Sequence, residues 1–145
     1  MRLVAEYLVT DEKETRDQMD WTPEFSRRAR GFAVYAALRS LGRSGVAELV
    51  ERCCRHARTF AEQLAQLPGC EVLNEVVLNQ VLLRFADDET TAAVLRAVQE
   101  SGEAWMSGTL WDGRAAIRIS VSNWRTSDGD VARTVAAFEA ALASS

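Results

Sequence analysis

The chain has 145 residues, of which 48% are hydrophobic and 26% charged; its formal net charge is −4 and its pI is near 5.1. Those proportions suit one soluble globular domain with a real core, and the acidic balance speaks against a nucleic-acid partner, which would meet a basic face. No apolar run approaches a membrane span, and the opening MRLVAEYLVT is too short and too polar for a signal peptide, so the expectation is a cytoplasmic protein with no membrane partner.

Residues 9 to 20, VTDEKETRDQMD, are polar, charged and aperiodic and read as a mobile loop. Thr22-Pro23 is a helix start, with threonine as N-cap and proline at the first helical position. That helix is expected to run through Phe25, Ala29, Phe32, Ala36 and Leu38 and to stop at Gly42. Ser44 then caps a second helix. Its stripe of Val46, Leu49, Val50, Cys53, Ala57, Phe60, Ala61 and Leu64 follows the 3.6-residue period, and Pro68-Gly69 ends it. Beyond Gly69 the period changes. CEVLN and NQVLLRFA read as two strands around a short turn, and DDETTAAVLRAVQESG as a helix with acids at its start and glycine at its end. AWMSGTLWDGRAAIRISV reads as a hairpin, with Asp112-Gly113 supplying the positive φ angles of a tight turn. Ser127 and Asp130 have capping-box spacing and open a last helix, with Val131, Val135, Phe138 and Leu142 on one face. The order α-α-β-β-α-β-β-α predicts an α+β fold: a helix pair, then a small antiparallel sheet of about four strands with helices packed on one face. QVLLRF and GTLW are apolar on both sides of their strands, so the other face is expected to pack on something outside the chain.

Few side chains offer chemistry. There are sixteen arginines and one lysine, Lys13, set among Asp11, Glu12 and Glu14, which stabilise its ammonium form and oppose nucleophilicity. The one histidine, His56, flanks a helical apolar stripe and reads as structural or at the solvent edge. Cys53, Cys54 and Cys70 form no disulfide framework and no metal-ligand spacing, and read as three buried thiols. Trp105 and Trp111 are expected in the hairpin core. Arg27, Arg28 and Arg30 cluster on the first helix and meet either an acidic neighbour or solvent. Asn123, Trp124 and Arg125 follow the strand where a turn must form, and asparagine suits that local geometry. Arg118 is the exception to this plain inventory. Ile117, Ile119 and Val121 alternate with it, so it lies mid-strand on the face opposite the isoleucines. A guanidinium there is solvated, paired within its own chain, or available to an anionic ligand.

Three stretches together resemble the C-terminal part of the group II pyridoxal-phosphate-dependent amino-acid decarboxylases, which include the aromatic-L-amino-acid, glutamate and 2,4-diaminobutyrate decarboxylases of fold type I. They are AEYLVTDE at residues 5 to 12, DWTPEFSRRARGFAVYAALRSLGRSGV at residues 20 to 46, and AIRISVSNWRTSDGDV at residues 116 to 131. The resemblance covers essentially the whole chain. It implies a mobile active-site-type loop over 1–20, a helix pair over 21–68 and a small C-terminal α+β domain over 69–145. It also implies pyridoxal 5′-phosphate as cofactor, an L-amino-acid substrate decarboxylated to an amine and CO2, and a homodimer. Arg118 matches the arginine that binds the substrate's α-carboxylate, a role suited to its planar fork of donors. Tyr7 matches a lid tyrosine that returns a proton to the carbon from which CO2 has left. The lysine that links covalently to the cofactor has no counterpart here, so the chain is expected to be a C-terminal fragment, inactive alone. The alternative is a non-catalytic α+β interaction module in which Arg118 is structural.

Overall fold

The computed structural model describes residues 28–144. Within them lie parts of two compact units that divide between Ser40 and Leu41. In the first unit Arg28 and Ala29 are not helical and helix α1 (Arg30–Leu64) begins at Arg30. The Thr22-Pro23 start lies outside the described residues. Inside α1, Gly42 leaves helical geometry at φ 64°, ψ −176°, a conformation that costs glycine little because it has no Cβ. Two helical stretches are therefore joined at the predicted glycine, but the first begins only at Arg30: Ala29, expected inside it, and Arg28, expected on it, are not helical.

In the second unit, α1 continues to Leu64 and is followed by β1 (Glu71–Val72), β2 (Gln80–Arg84), α2 (Asp88–Glu100), β3 (Ser107–Trp111), β4 (Arg114–Ser120) and α3 (Asp128–Ala143). The four strands form one antiparallel sheet in the order β1-β2-β4-β3. This is the α+β arrangement expected. Asp87 caps α2, its carboxylate accepting from the Thr90 amide at 2.7 Å, and Asp88 and Glu89 fill the first turn. The Ser127–Asp130 capping box of α3 is formed in both directions.

The core joins the sheet to all three helices. Val81, Leu83, Ile117 and Ile119 line one sheet face, and Phe60 and Leu64 of α1, Val94 and Val98 of α2, and Val131 and Phe138 of α3 pack into the same cluster. Phe85 and Phe138 stack at its centre with ring centroids 6.2 Å apart. The hairpin tryptophans are not part of it. Trp105 is 84% exposed and Trp111 51% exposed, which corrects the expectation that they fill the hairpin core. Trp105 precedes β3, where no pleat holds it inward, and Trp111 ends β3 on the face away from the helices.

Candidate functional site

The site is fixed by a turn and a pleat. Asp112 (φ 50°) and Gly113 (φ 73°) both take left-handed geometry, as a two-residue hairpin connection between right-twisted strands requires. That turn pairs Trp111 with Arg114, and counting outward places Ser107 opposite Arg118. On the other side of β4, Leu82 of β2 pairs with Arg118. The pleat buries Ile117 and Ile119 against the helices and turns Arg118 to the open face, as the alternation predicts.

On that face Arg118 borders an open groove of about 450 Å³ lined by Asn74, Gln80, Val81, Leu82, Thr109, Leu110, Trp111 and Arg118. Its Nη2 donates to Ser107 Oγ at 3.3 Å. Among the described residues Arg118 forms no ion pair with a carboxylate. Arg84 shows the other state open to an arginine of this sheet. It is buried, its Nη2 lies 3.3 Å from Asp88 Oδ1, and its Nε donates to the Phe85 carbonyl at 3.2 Å. Arg84 is committed to its own chain, whereas Arg118 keeps most of its donors for something else. Asn74 holds the near wall: its Oδ1 accepts from the Leu82 amide at 2.7 Å and its Nδ2 donates to the Gln80 carbonyl at 3.2 Å.

The loop after β4 is pinned rather than poised for chemistry. Asn123 Oδ1 accepts from the Arg125 amide at 2.9 Å, Arg52 Nη2 donates to the Trp124 carbonyl at 3.0 Å, and the Arg125 guanidinium sits 4.9 Å from the centre of the Trp124 ring. His56 is only 2% exposed. Its Nε2–H donates to the Thr126 carbonyl at 3.2 Å and its Nδ1 lies 3.3 Å from Asp128 Oδ1. It is a structural histidine tying α1 to the start of α3, and is fully inside rather than at the solvent edge. Cys53 and Cys54 are buried, while Cys70 is half-buried, short of the expected full burial. Burial still pushes the Cys70 thiol up to about 11, away from nucleophilic use.

Arg28 and Arg30 are exposed. Tyr7, Lys13 and Arg27 lie outside the described residues, as does the expected loop over 9–20. Sequence reasoning found Arg118 but not the residues around it. Ser107, Thr109, Gln80 and Asn74 carry no motif. The one signal that could have found Ser107 is register, counted back along the hairpin from Asp112-Gly113. Among the described residues no group of three or more His, Cys, Asp or Glu side chains could hold a metal ion, and no helix is long and apolar enough to cross a membrane.

The family model of the pyridoxal-dependent decarboxylase conserved domain matches residues 1–86. The chain belongs to this family. It is 25% identical over 124 residues to tyrosine decarboxylase 2 of Arabidopsis thaliana, an alignment that takes in 80% of this chain and 23% of the relative. The chain therefore spans less than a quarter of that relative's length. In fold it is similar to a TDC of Oryza sativa solved with PLP and tryptamine, with a TM-score of 0.77, 19% identity, and coverage of 90% of this chain and 30% of that one. It is equally similar to the 4-hydroxyphenylacetaldehyde synthase of Rhodiola rosea, with a TM-score of 0.77, 23% identity, and coverage of 89% and 29%.

A pyridoxal-dependent decarboxylase links its cofactor to a lysine. The described residues contain no lysine, so they do not supply that anchor, and no step is assigned to them through it. What they offer is a cationic fork beside a groove, a donor arrangement that suits an anionic group.

Proposed function

We propose that this chain is the C-terminal part of a pyridoxal-phosphate-dependent carboxy-lyase that converts an L-amino acid to an amine and CO2, and that Arg118 binds the substrate's α-carboxylate. One observation carries the assignment of Arg118: its guanidinium stands on the open sheet face beside a groove, with a serine hydroxyl as its hydrogen-bond partner and no carboxylate paired to it among the described residues. A structural arginine in this sheet looks like Arg84, buried and paired. Arg118 instead is exposed and bonded to a hydroxyl, and a guanidinium so placed has further N–H groups to offer a carboxylate as a planar fork. Gripping that group fixes the direction of the C–C bond to be broken, and orientation of this kind is a large part of what an enzyme contributes. Pyridoxal phosphate, when bound, supplies the sink for the electron pair left behind.

Tyr7 completes the proposal as the residue that hands a proton to the carbon after CO2 departs, from a lid over residues 1–20. A phenol is neutral at working pH and has one proton to give. The helix pair over 21–68 and the α+β domain over 69–145 are the remaining parts. The working unit is a cytoplasmic homodimer that binds neither nucleic acid nor membrane, and the cofactor is held mainly by a part of the longer protein other than the residues described. The family match and the fold similarity to enzymes solved with PLP support this reading.

The test uses the longer enzyme with cofactor bound. Arg118→Lys is expected to cut turnover sharply and leave the cofactor's absorbance in place; near-normal turnover removes Arg118 from the site. Tyr7→Phe is expected to spoil clean amine production, and unchanged amine yield sinks the role of Tyr7. The 145-residue chain alone is expected to give no borohydride-reducible cofactor adduct and no CO2.

A further inference from the structure

We propose that Ser107 is a positioning residue for Arg118: its hydroxyl aims the guanidinium without neutralising it. This rests on the reading of Arg118 as the carboxylate-binding arginine.

The register brings the two side chains together. Ser107 is the cross-strand partner of Arg118, on the same face of the sheet, and Arg118 Nη2 donates to Ser107 Oγ at 3.3 Å. Directly opposed residues on an antiparallel pair have Cβ atoms close enough for this contact to recur every time the sheet forms. Serine is otherwise a poor choice here, since strands favour β-branched and aromatic residues. Its neighbours Met106 and Gly108 answer to the core, Met106 by being buried and Gly108 by facing Leu95 of α2. Ser107 answers to Arg118.

The chemistry of the partner matters. A guanidinium has five N–H donors, and the serine occupies one of them, leaving four for a ligand. A free arginine side chain would have to be ordered each time substrate arrives, which costs binding free energy. A carboxylate at position 107 would order it too, but would occupy the fork and compete with the substrate. A hydroxyl orders the cation and leaves its charge available. The contrast lies in the same sheet, where Asp88 holds Arg84 and takes it out of use.

The experiment uses the longer enzyme with its cofactor, assayed on each of the proteinogenic L-amino acids, with the fastest substrate carried forward. Ser107→Ala is expected to lower kcat/KM by about 3- to 10-fold, the range of one lost hydrogen bond of ordinary net strength at a solvent-exposed site. Ser107→Thr keeps a hydroxyl and is expected to restore it. Ser107→Asp is expected to raise KM far more than Ser107→Ala does, by pairing with Arg118. With Arg118→Lys as background, Ser107→Ala is expected to add no further loss.

Wild-type kcat/KM in Ser107→Ala and Ser107→Asp, alongside a large loss in Arg118→Lys, overturns the role of Ser107 and leaves Arg118 standing. Normal activity in Arg118→Lys overturns the reading beneath it. Crystal structures of the variants decide the matter independently of turnover, including where no amino acid is consumed. The guanidinium should lose its single position in Ser107→Ala and keep it in Ser107→Thr, and an unmoved guanidinium in Ser107→Ala refutes the proposal.

Discussion

Ile117 and Arg118 are consecutive residues of one strand, and the two faces they serve obey different rules. On the helix side Ile117 and Ile119 meet Val81 and Leu83, and each is fixed by volume and by exclusion of water. On the other side Leu82, Thr109, Trp111 and Arg118 line one groove, whose wall includes both a half-exposed tryptophan and an exposed cation. The first face is explained completely by what it does for folding. The second is not, since neither an exposed tryptophan nor an arginine without a carboxylate partner does much for stability. Residues that folding does not account for are where function is to be sought.

Substitutions at the two adjacent positions test that division directly. Ile117→Ala removes a fully buried side chain from the centre of the sheet and is expected to cost about 2–5 kcal/mol in denaturant unfolding. Arg118→Lys is expected to change stability by no more than about 0.5 kcal/mol, as exposed positions do, while lowering turnover of the longer enzyme by about 100-fold through lost alignment. A stability loss at Arg118 comparable to that at Ile117 would erase the distinction between the faces and return Arg118 to a structural role. A smaller effect sharpens the account of the helix side. Ser127→Ala opens the α3 capping box and is expected to cost about 1 kcal/mol, with no change in turnover.

The helix side was legible in the sequence because its residues obey periods. The stripe ending at Leu64, the alternation around Ile117 and the box at Ser127 are local patterns, and each fell where expected except at Val50, which is 50% exposed. The glycine at Gly42 and the Asp112-Gly113 turn were legible for the same reason, because few residues tolerate their dihedral angles. The open face was legible only at Arg118, where a charge interrupts an apolar alternation. Ser107, Asn74 and Gln80 come from other strands and a connecting segment, and nothing local marks them. Trp105 and Trp111 misled because an aromatic residue in a strand pattern suggests core, while which face it takes is decided by register and by where the strand ends. His56 was ambiguous for a related reason: its partners, Thr126 and Asp128, are about seventy residues away in sequence.

The smallest expected effect concerns the helix ends that frame the sheet, and it comes from acid. Asp87 accepts hydrogen bonds from Thr90, which lower its carboxyl below the ordinary range. Asp130 is lowered by its hydrogen bonds with Ser127 and, secondarily, by the Arg133 guanidinium that pairs with it. Above the carboxylate range both groups are ionised whether the chain is folded or not, and their contribution is complete. As pH falls through that range the unfolded chain takes up protons first, because its carboxyls are the weaker acids. Folding then loses these contributions until the folded carboxyls are protonated as well. Stability should therefore decline between about pH 5 and pH 2, with the slope set by the excess protons on the unfolded chain. Asp87→Asn keeps a side-chain oxygen at the cap and removes the charge, so its melting curve should be less sensitive to acid than that of the parent, and the two should converge as pH falls. Parallel curves down to the lowest pH would mean that the cap acts through its hydrogen bond alone. Arg118 has no carboxylate partner among the described residues to titrate, so replacing it should leave this acid profile unchanged. That outcome would separate the residue proposed to bind a carboxylate from those held for the fold.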